Sequence, residues 1–283
     1  MGLIPRKTLP PQPPSAMLRF LYTTLFGRVL LKPLTMPFVS KAAGILMDSR
    51  LSALFVKSFI EKNGIDMSDY EKRKFFSFND FFTRSVLPEK RPIAHAPSVL
   101  ISPCDAKLSA YIITDKSVFS IKDSSYSVAD LLSDAAMAKR YSGGYCLIFR
   151  LAVDDYHRYC YFDGGRAEAV RHIGGEFHTV QPIALRHCDI YKRNTRECTV
   201  LLTENFGTAV QVEVGAMMVG RICNNGASVF RRGEEKGRFE FGGSTIVLLL
   251  EHNSAQIDRE ILRNTENGLE TVVKMGEAIG RKA

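Results

Sequence analysis

The sequence predicts an α+β protein, an N-terminal helical segment followed by a mainly antiparallel β core. Apolar residues between positions 16 and 62 recur at helical spacing. Beyond Pro88 the pattern changes to short β-type runs, among them "SVLISP", "KLSAYIIT", "YCLIFRLAV", "HRYCYFD", "ECTVLLT", "AVQVEVGAMMVGRI" and "STIVLLLE". Turn chemistry separates these runs, as at Asp163-Gly164-Gly165, Asn205-Phe206-Gly207 and Asn225-Gly226. No repeat period is visible. A chain of 283 residues with 45% apolar content can fill one large core or two smaller ones.

Taken in order, residues 1–15 form a basic, proline-rich tail without the pattern of a secretory signal, and Arg6 stands where a myristoylation motif has Ser or Thr. Residues 16–75 are expected to be helical and membrane-associating. In "AMLRFLYTTLFGRVLLKPLTMPFVSKAAGILM" the basic side chains Arg19, Arg28, Lys32 and Lys41 leave no apolar span of about 18 residues. Leu18, Leu21, Tyr22, Leu25 and Val29 share one helical face, and Pro33 and Pro37 are expected to end that helix. A basic, greasy helix can lie in a membrane interface or cover the protein's own core, and one helix pair can do both. A second helix is expected over residues 49–62, with Asp48 as N-cap and Asn63-Gly64 as its stop. "SDYE" at residues 68–71 reads as the capping box of a short third helix. Residues 76–283 hold the strands and one clear helix over 127–141.

The formal charge of +8 asks for an anionic partner. The basic residues are scattered, and no helix-turn-helix, zinc-finger or RNP-type motif is present, which argues against nucleic acid and for a membrane surface. The six cysteines form no C-x-x-C pair and lack zinc-type spacing with the histidines, so they read as reduced thiols and no metal is expected.

Three polar spots sit where strands end. Asp105 follows an apolar run in "ISPCDAK"; Asp154, Asp155, Tyr156, His157 and Arg158 lead into a strand; and "GGST" at 242–245 interrupts the apolar run of "GRFEFGGSTIVLLLE". Separately they read as a turn aspartate, a half-buried strand histidine and a β-bulge with a bonded serine. Together they supply an acid, an imidazole and a hydroxyl. A serine hydrolase fits poorly, because Ser244 is followed by more strand and lacks the G-x-S-x-G elbow.

The ordered blocks "FNDFFTRSVLPEKRPI", "SPCDAK", "DYHR", "GEFHTVQPIAL", "TENFG", "VEVGAMMVGRI" and "GRFEFGGSTIVLLL", spanning roughly residues 75–251, resemble the phosphatidylserine decarboxylase proenzymes. The resemblance implies that residues 76–283 are the catalytic domain. It implies self-cleavage between Gly243 and Ser244 into a β chain (1–243) and an α chain (244–283), with Ser244 becoming a covalent pyruvoyl group. That group would form a Schiff base with phosphatidylserine and release phosphatidylethanolamine. His157 would move the proton in decarboxylation, and Asp105 would serve the self-cleavage triad. The family's second histidine, three residues after that of "DYHR", is here Cys160, whose buried thiol is expected to have a raised pKa. His178, or His157 itself, is the substitute base to consider. The expected partners are phosphatidylserine, an anionic membrane surface on the cytoplasmic side of the cell membrane, the other chain of the same precursor and, as an option, a second copy in a homodimer; no nucleic acid is expected. A decarboxylase of another phosphoserine lipid and a membrane-bound pseudoenzyme that never matures are the alternatives.

Overall fold

The structure, a computed structural model, describes residues 5–10, 13–121, 124–185, 187–217, 221–242 and 244–283. Strand β1 (Thr8–Leu9) precedes helices α1 (Ala16–Thr23), α2 (Leu25–Leu34) and α3 (Pro37–Asp48), a 3-10 turn (Arg50–Phe55), α4 (Val56–Asn63) and α5 (Phe78–Phe82). The core then runs β2 (Val99–Ile101), β3 (Ala106–Ile112), β4 (Val118–Ile121), β5 (Ser124–Ser127), α6 (Val128–Leu132), α7 (Ala135–Ala138), β6 (Tyr145–Leu151), β7 (Arg158–Cys160) and β8 (Gly165–Ile173). It continues with α8 (Pro182–Leu185), α9 (Ile190–Arg193), β9 (Arg196–Thr203), β10 (Thr208–Val214), β11 (Ile222–Asn224), β12 (Val229–Phe230), β13 (Glu235–Phe239) and β14 (Ser244–Leu250). Strand β15 (Ala255–Ile257), α10 (Arg259–Glu266), β16 (Glu270–Val273) and β17 (Ala278–Lys282) complete it.

The expected α+β class is what the chain adopts. Among the described residues a nine-stranded sheet in the order β1-β16-β3-β6-β14-β10-β9-β8-β12 forms the spine, with each pair of neighbours antiparallel. β14 lies at its centre, between β6 and β10, and all seven of its residues are buried. That position explains its continuous apolar run, since both faces and both edges are covered. β13 belongs to a different, three-stranded sheet with β11 and β7. The apolar stretch of residues 239–250 is therefore not one strand broken by a bulge, as the sequence suggested. It is two strands in two sheets, and Gly242 lies in the crossing between them. Gly242 has φ 129°, a conformation that a side-chain-bearing residue adopts only under strain.

The N-terminal helices depart from expectation at their breaks. At Thr24 the backbone is extended and the Thr24 Oγ1 accepts the Gly27 N–H at 2.9 Å, starting a new helix. A Cβ at Gly27 would lie 2.1 Å from the Phe20 carbonyl oxygen, so this tight corner needs glycine. The break splits the expected face: Leu21, Tyr22 and Leu31 join the core, whereas Leu25 is 84% and Val29 65% exposed. Pro33 lies inside α2 and Pro37 begins α3 instead of stopping a helix, because the first turn has no use for its missing N–H. Asp48 ends α3 instead of capping a helix, and a 3-10 turn replaces the first part of the expected helix over 49–62. Gly64 closes α4 at φ 61°, as its sequence context predicts. "SDYE" makes a single 3-10 turn, Met67–Asp69, capped by Asp66, and Tyr70 leaves it to bridge Val86. The expected helix over 127–141 is cut at Ser133, which is left-handed (φ 50°), into α6 and α7 and a 3-10 turn.

Candidate active site

Ser244 opens the central strand, where its backbone lies opposite Leu151 at the end of β6. The loop leaving Leu151 carries His157 before entering β7. Ser244 thus sits where two adjacent strands end, and His157 lies in the loop that leaves one of them, at the entry to β7. Both are fully buried.

The loop is held in place by a buried charge pair. Lys107 on β3 donates from Nζ to Asp155 Oδ2 at 2.6 Å, and that oxygen also accepts the Ala152 N–H at 2.7 Å. Burial pushes the Asp155 pKa up, and Lys107 partly offsets it. The His157 Nδ1 lies 2.9 Å from the Asp155 carbonyl oxygen. A carbonyl only accepts, so Nδ1 carries the proton and Nε2 presents its lone pair. Burial, then the nearby positive charge of Arg84, lowers the His157 pKa to about 3 and keeps the ring neutral.

The residues before Ser244 wrap this histidine. The Phe239 N–H donates to the His157 carbonyl at 2.9 Å, and the Phe241 N–H donates to Asn79 Oδ1 on α5 at 2.9 Å. The Phe82 ring centroid lies 4.0 Å from that of His157, and Phe241 packs edge-on against Phe82 and Phe78 at 5.6 and 5.0 Å. α5 therefore joins the imidazole to the chain segment that approaches position 244. Gly243 lies outside the described residues.

Two atoms at the centre of this arrangement have no hydrogen-bond partner among the described residues, Ser244 Oγ and His157 Nε2. A buried polar atom left unsatisfied costs about 1–3 kcal/mol, so these two are the polar atoms of the arrangement that its own hydrogen bonds do not account for.

Asp105 stands nearby at the start of β3, wholly buried. Its carboxylate accepts from Arg91 Nε at 2.8 Å and Nη2 at 2.7 Å, from Lys274 Nζ at 2.9 Å and from the Met275 N–H at 2.9 Å. Burial pushes its pKa up, but these donors and charges outweigh it and hold the carboxyl below its ordinary range. Neither Ser244 nor His157 is among its partners. The Cys160 N–H, at the end of β7, donates to the carbonyl of Pro103, two residues before Asp105, at 2.8 Å. Burial pushes the Cys160 thiol up to about 12, so it holds its proton. His178 is engaged elsewhere: Nδ1 lies 3.1 Å from the Tyr22 hydroxyl and Nε2 lies 2.7 Å from Glu176 Oε2. Among the described residues no group of three His, Cys, Asp or Glu is placed to hold a metal ion.

The sequence reading did not single out Arg91, Lys274, Lys107 or Phe82. Arg91 and Phe82 lie within "FNDFFTRSVLPEKRPI", a block whose resemblance to the family assigns its residues no roles. Lys274 lies 169 residues from Asp105 and carries no local signal.

The family model for phosphatidylserine decarboxylase matches residues 78–281. Phosphatidylserine decarboxylase proenzyme 2 of Clostridium acetobutylicum is 46% identical over 267 residues, covering 94% of this chain and 92% of the relative. The phosphatidylserine decarboxylase proenzyme of Clostridium perfringens (strain SM101) is 43% identical over 250 residues, covering 86% and 85%. That of Ruminiclostridium cellulolyticum is 42% identical over 272 residues, covering 93% and 90%. With a family model matching most of its length and these relatives covering nearly all of it, the chain belongs to the phosphatidylserine decarboxylase family.

Proposed function

We propose that this chain cleaves itself between Gly243 and Ser244 and then decarboxylates phosphatidylserine to phosphatidylethanolamine. The observation that carries the reading is the pair of buried, unpartnered atoms, Ser244 Oγ and His157 Nε2. Of the candidate bases, His157 is the one with an available lone pair, since the His178 nitrogens are both engaged and Cys160 holds its proton.

His157 Nε2 takes the hydroxyl proton of Ser244 as Oγ attacks the Gly243 carbonyl carbon. The Gly243–Ser244 C–N bond breaks, the freed amine takes the proton, and an ester remains. Loss of the residue 244 Cα proton and breakage of its Cβ–O bond release a β chain, residues 1–243, ending in the Gly243 carboxylate. Water then replaces the nitrogen of the resulting dehydroalanine, ammonia leaves, and the α chain, residues 244–283, carries a pyruvoyl cap. The orphaned Ser244 hydroxyl at the head of a fully buried strand suits this change, because β6 and β10 grip β14 through seven and five paired positions whether or not the chain is cut. When formed, the pyruvoyl carbonyl supplies an electron sink for the headgroup amine. His157 returns a proton to the substrate carbon from which carbon dioxide has left. Asp105 acts in the self-cleavage apparatus by fixing, with Arg91 and Lys274, the strand end beside Cys160.

The chain sits on the cytoplasmic face of the cell membrane as a peripheral protein. No single described helix is long and apolar enough to cross a membrane, and α2 and α3 are bent by 63° to one another. Their outer faces expose Leu25, Phe26, Val29, Phe38, Ile45 and Leu46, interleaved with Arg28, Lys32 and Lys41. An anionic bilayer meets both properties.

Intact-mass measurement on purified protein tests the reading. The expected result is two fragments, the larger ending at Gly243 and the smaller blocked at its N-terminus, with release of carbon dioxide from phosphatidylserine. An uncut chain that still decarboxylates overturns the mechanism, and an uncut, inactive chain identifies the non-maturing alternative.

A further inference from the structure

Six side chains with a positive charge are buried among the described residues, and five of them are provided for. Arg91 is held by Asp105 and Asp69, Lys107 by Asp155, Arg150 by Glu270, and Lys236 by Glu213 and Asn224. Arg196 has no acid, but its guanidinium donates to four carbonyl groups, of Leu131, Lys192, Asn194 and Asp130, and to the Ser133 hydroxyl. That is how a purely structural buried cation is satisfied.

Arg84 is the exception. It is 1% exposed and forms no ion pair among the described residues. Its Nε has no hydrogen-bond partner among the described residues. Nη2 donates to the Tyr70 hydroxyl at 3.1 Å and to the Asp154 carbonyl at 3.4 Å, and Nη1 reaches the Phe81 carbonyl only at 3.5 Å. The guanidinium lies over the Tyr70 ring at 4.1 Å and the Phe81 ring at 4.8 Å, so its plane is fixed by aromatic faces while its hydrogen-bonding edge stays underused. Arg84 follows α5, which carries Phe82 onto His157, and it binds the loop through Asp154, three residues before that histidine.

We propose that Arg84 is the receptor for the phosphodiester of the substrate headgroup, which rests on the decarboxylase reading above. A planar fork of donors fits a phosphate or carboxylate through two parallel hydrogen bonds. Phosphatidylserine offers both anions, and the chemistry chooses between them. A cation on the carboxylate stabilises the ground state and loses its partner as carbon dioxide forms, so it opposes the reaction. A cation on the phosphodiester keeps its partner throughout and anchors the headgroup with its amine-bearing carbon toward His157. The phosphodiester also offsets the Arg84 charge, one of the two leading influences that hold the His157 pKa down, and so favours the proton that His157 must deliver. Phe82 packs on the His157 ring and against Phe241, and the cut at 243/244 falls two residues beyond Phe241.

The test uses matured enzyme, with cleavage verified by mass, in wild-type, Arg84→Gln and Arg84→Lys forms. Short-chain phosphatidylserine is the substrate and short-chain phosphatidylethanolamine, which keeps the phosphodiester and lacks the carboxylate, is the competing product. Arg84→Gln is expected to raise KM for the first and Ki for the second by the same factor, roughly tenfold to a hundredfold, the loss of one charge-assisted hydrogen-bonded contact, with a smaller change in kcat. Arg84→Lys, which keeps the charge without the fork, is expected to raise both by less and serves alone if Arg84→Gln does not fold or mature. A rise in KM with an unchanged Ki assigns Arg84 to the carboxylate and overturns the proposal. So does a loss of folding or maturation in both variants, or two unchanged constants, since Arg84 is then structural. A wild-type chain that neither cleaves nor decarboxylates fails the underlying reading instead, before any variant is compared.

Discussion

His157 and Cys160 are two positions in one short stretch whose environments push their chemistry apart. Both are buried, but burial lowers the pKa of an imidazole and raises that of a thiol, so each is held neutral. Only the imidazole then has a lone pair basic enough to take the serine proton. Ser244→Ala is therefore expected to remain folded and wholly uncut, and His157→Ala to slow cleavage by about a hundredfold or more, whereas Cys160→Ala and His178→Ala cleave at close to the wild-type rate; time courses of fragment formation on gels read all four. His157 also predicts a pH dependence of stability. Its folded pKa of about 3 is below its unfolded value of about 6.5, so between those values the unfolded chain binds more protons. Stability then rises with pH through this window and is lost as pH falls from about 6.5 toward 3, at up to about 1.4 kcal/mol per pH unit from this group. In the uncut Ser244→Ala background, adding His157→Gln is expected to flatten that slope in urea titrations at successive pH values.

At the scale of elements, β14 has two jobs, to centre the sheet and to present Ser244 at its first position. Leu248 is fully buried in its middle, and Leu248→Ala is expected to destabilise the protein by about 2–5 kcal/mol, read as a lower urea midpoint. The crossing from β13 to β14 is the more delicate element. Gly242→Ala places a Cβ on a backbone at φ 129°, and slower cleavage with a smaller loss of global stability is the expected outcome, measured by fragment formation and urea unfolding in parallel. Sequence reasoning recognised every residue of this stretch and still joined two strands into one, because apolar alternation reports burial without saying in which sheet. The helix break at Thr24 escaped for a similar reason: a threonine is an ordinary helix residue until its hydroxyl caps the next helix.

For the whole molecule, the N-terminal helices face two ways. Leu21, Tyr22 and Leu31 pack on the core, and Tyr22 also engages His178, while Leu25, Phe26 and Phe38 face outward. Deleting residues 1–47 would therefore remove core contacts along with the outer surface and confuse two effects. Leu25→Glu with Phe26→Glu touches only the outer face. It is expected to leave cleavage and the thermal midpoint close to wild type and to weaken sedimentation with anionic liposomes by about a hundredfold, the loss of two large buried apolar groups. Binding of the wild-type chain is expected to weaken with added salt, since the net charge of +8 contributes through screened attraction.

The amino-acid order alone determined the fold class, the buried apolar run after Ser244, the serine itself as a candidate and the family, because periodicity, turn chemistry and ordered motif blocks are local properties. Tertiary structure alone decided which histidine keeps a lone pair, that Asp105 is claimed by Arg91 and Lys274, and that Arg84 is buried without an anion. Those outcomes depend on partners far apart in the chain, such as Asp105 with Lys274 and Tyr22 with His178, and on how completely water is excluded. A residue's charge state and unmet hydrogen bonds are set by what surrounds it in space, and sequence neighbours supply only part of that surrounding.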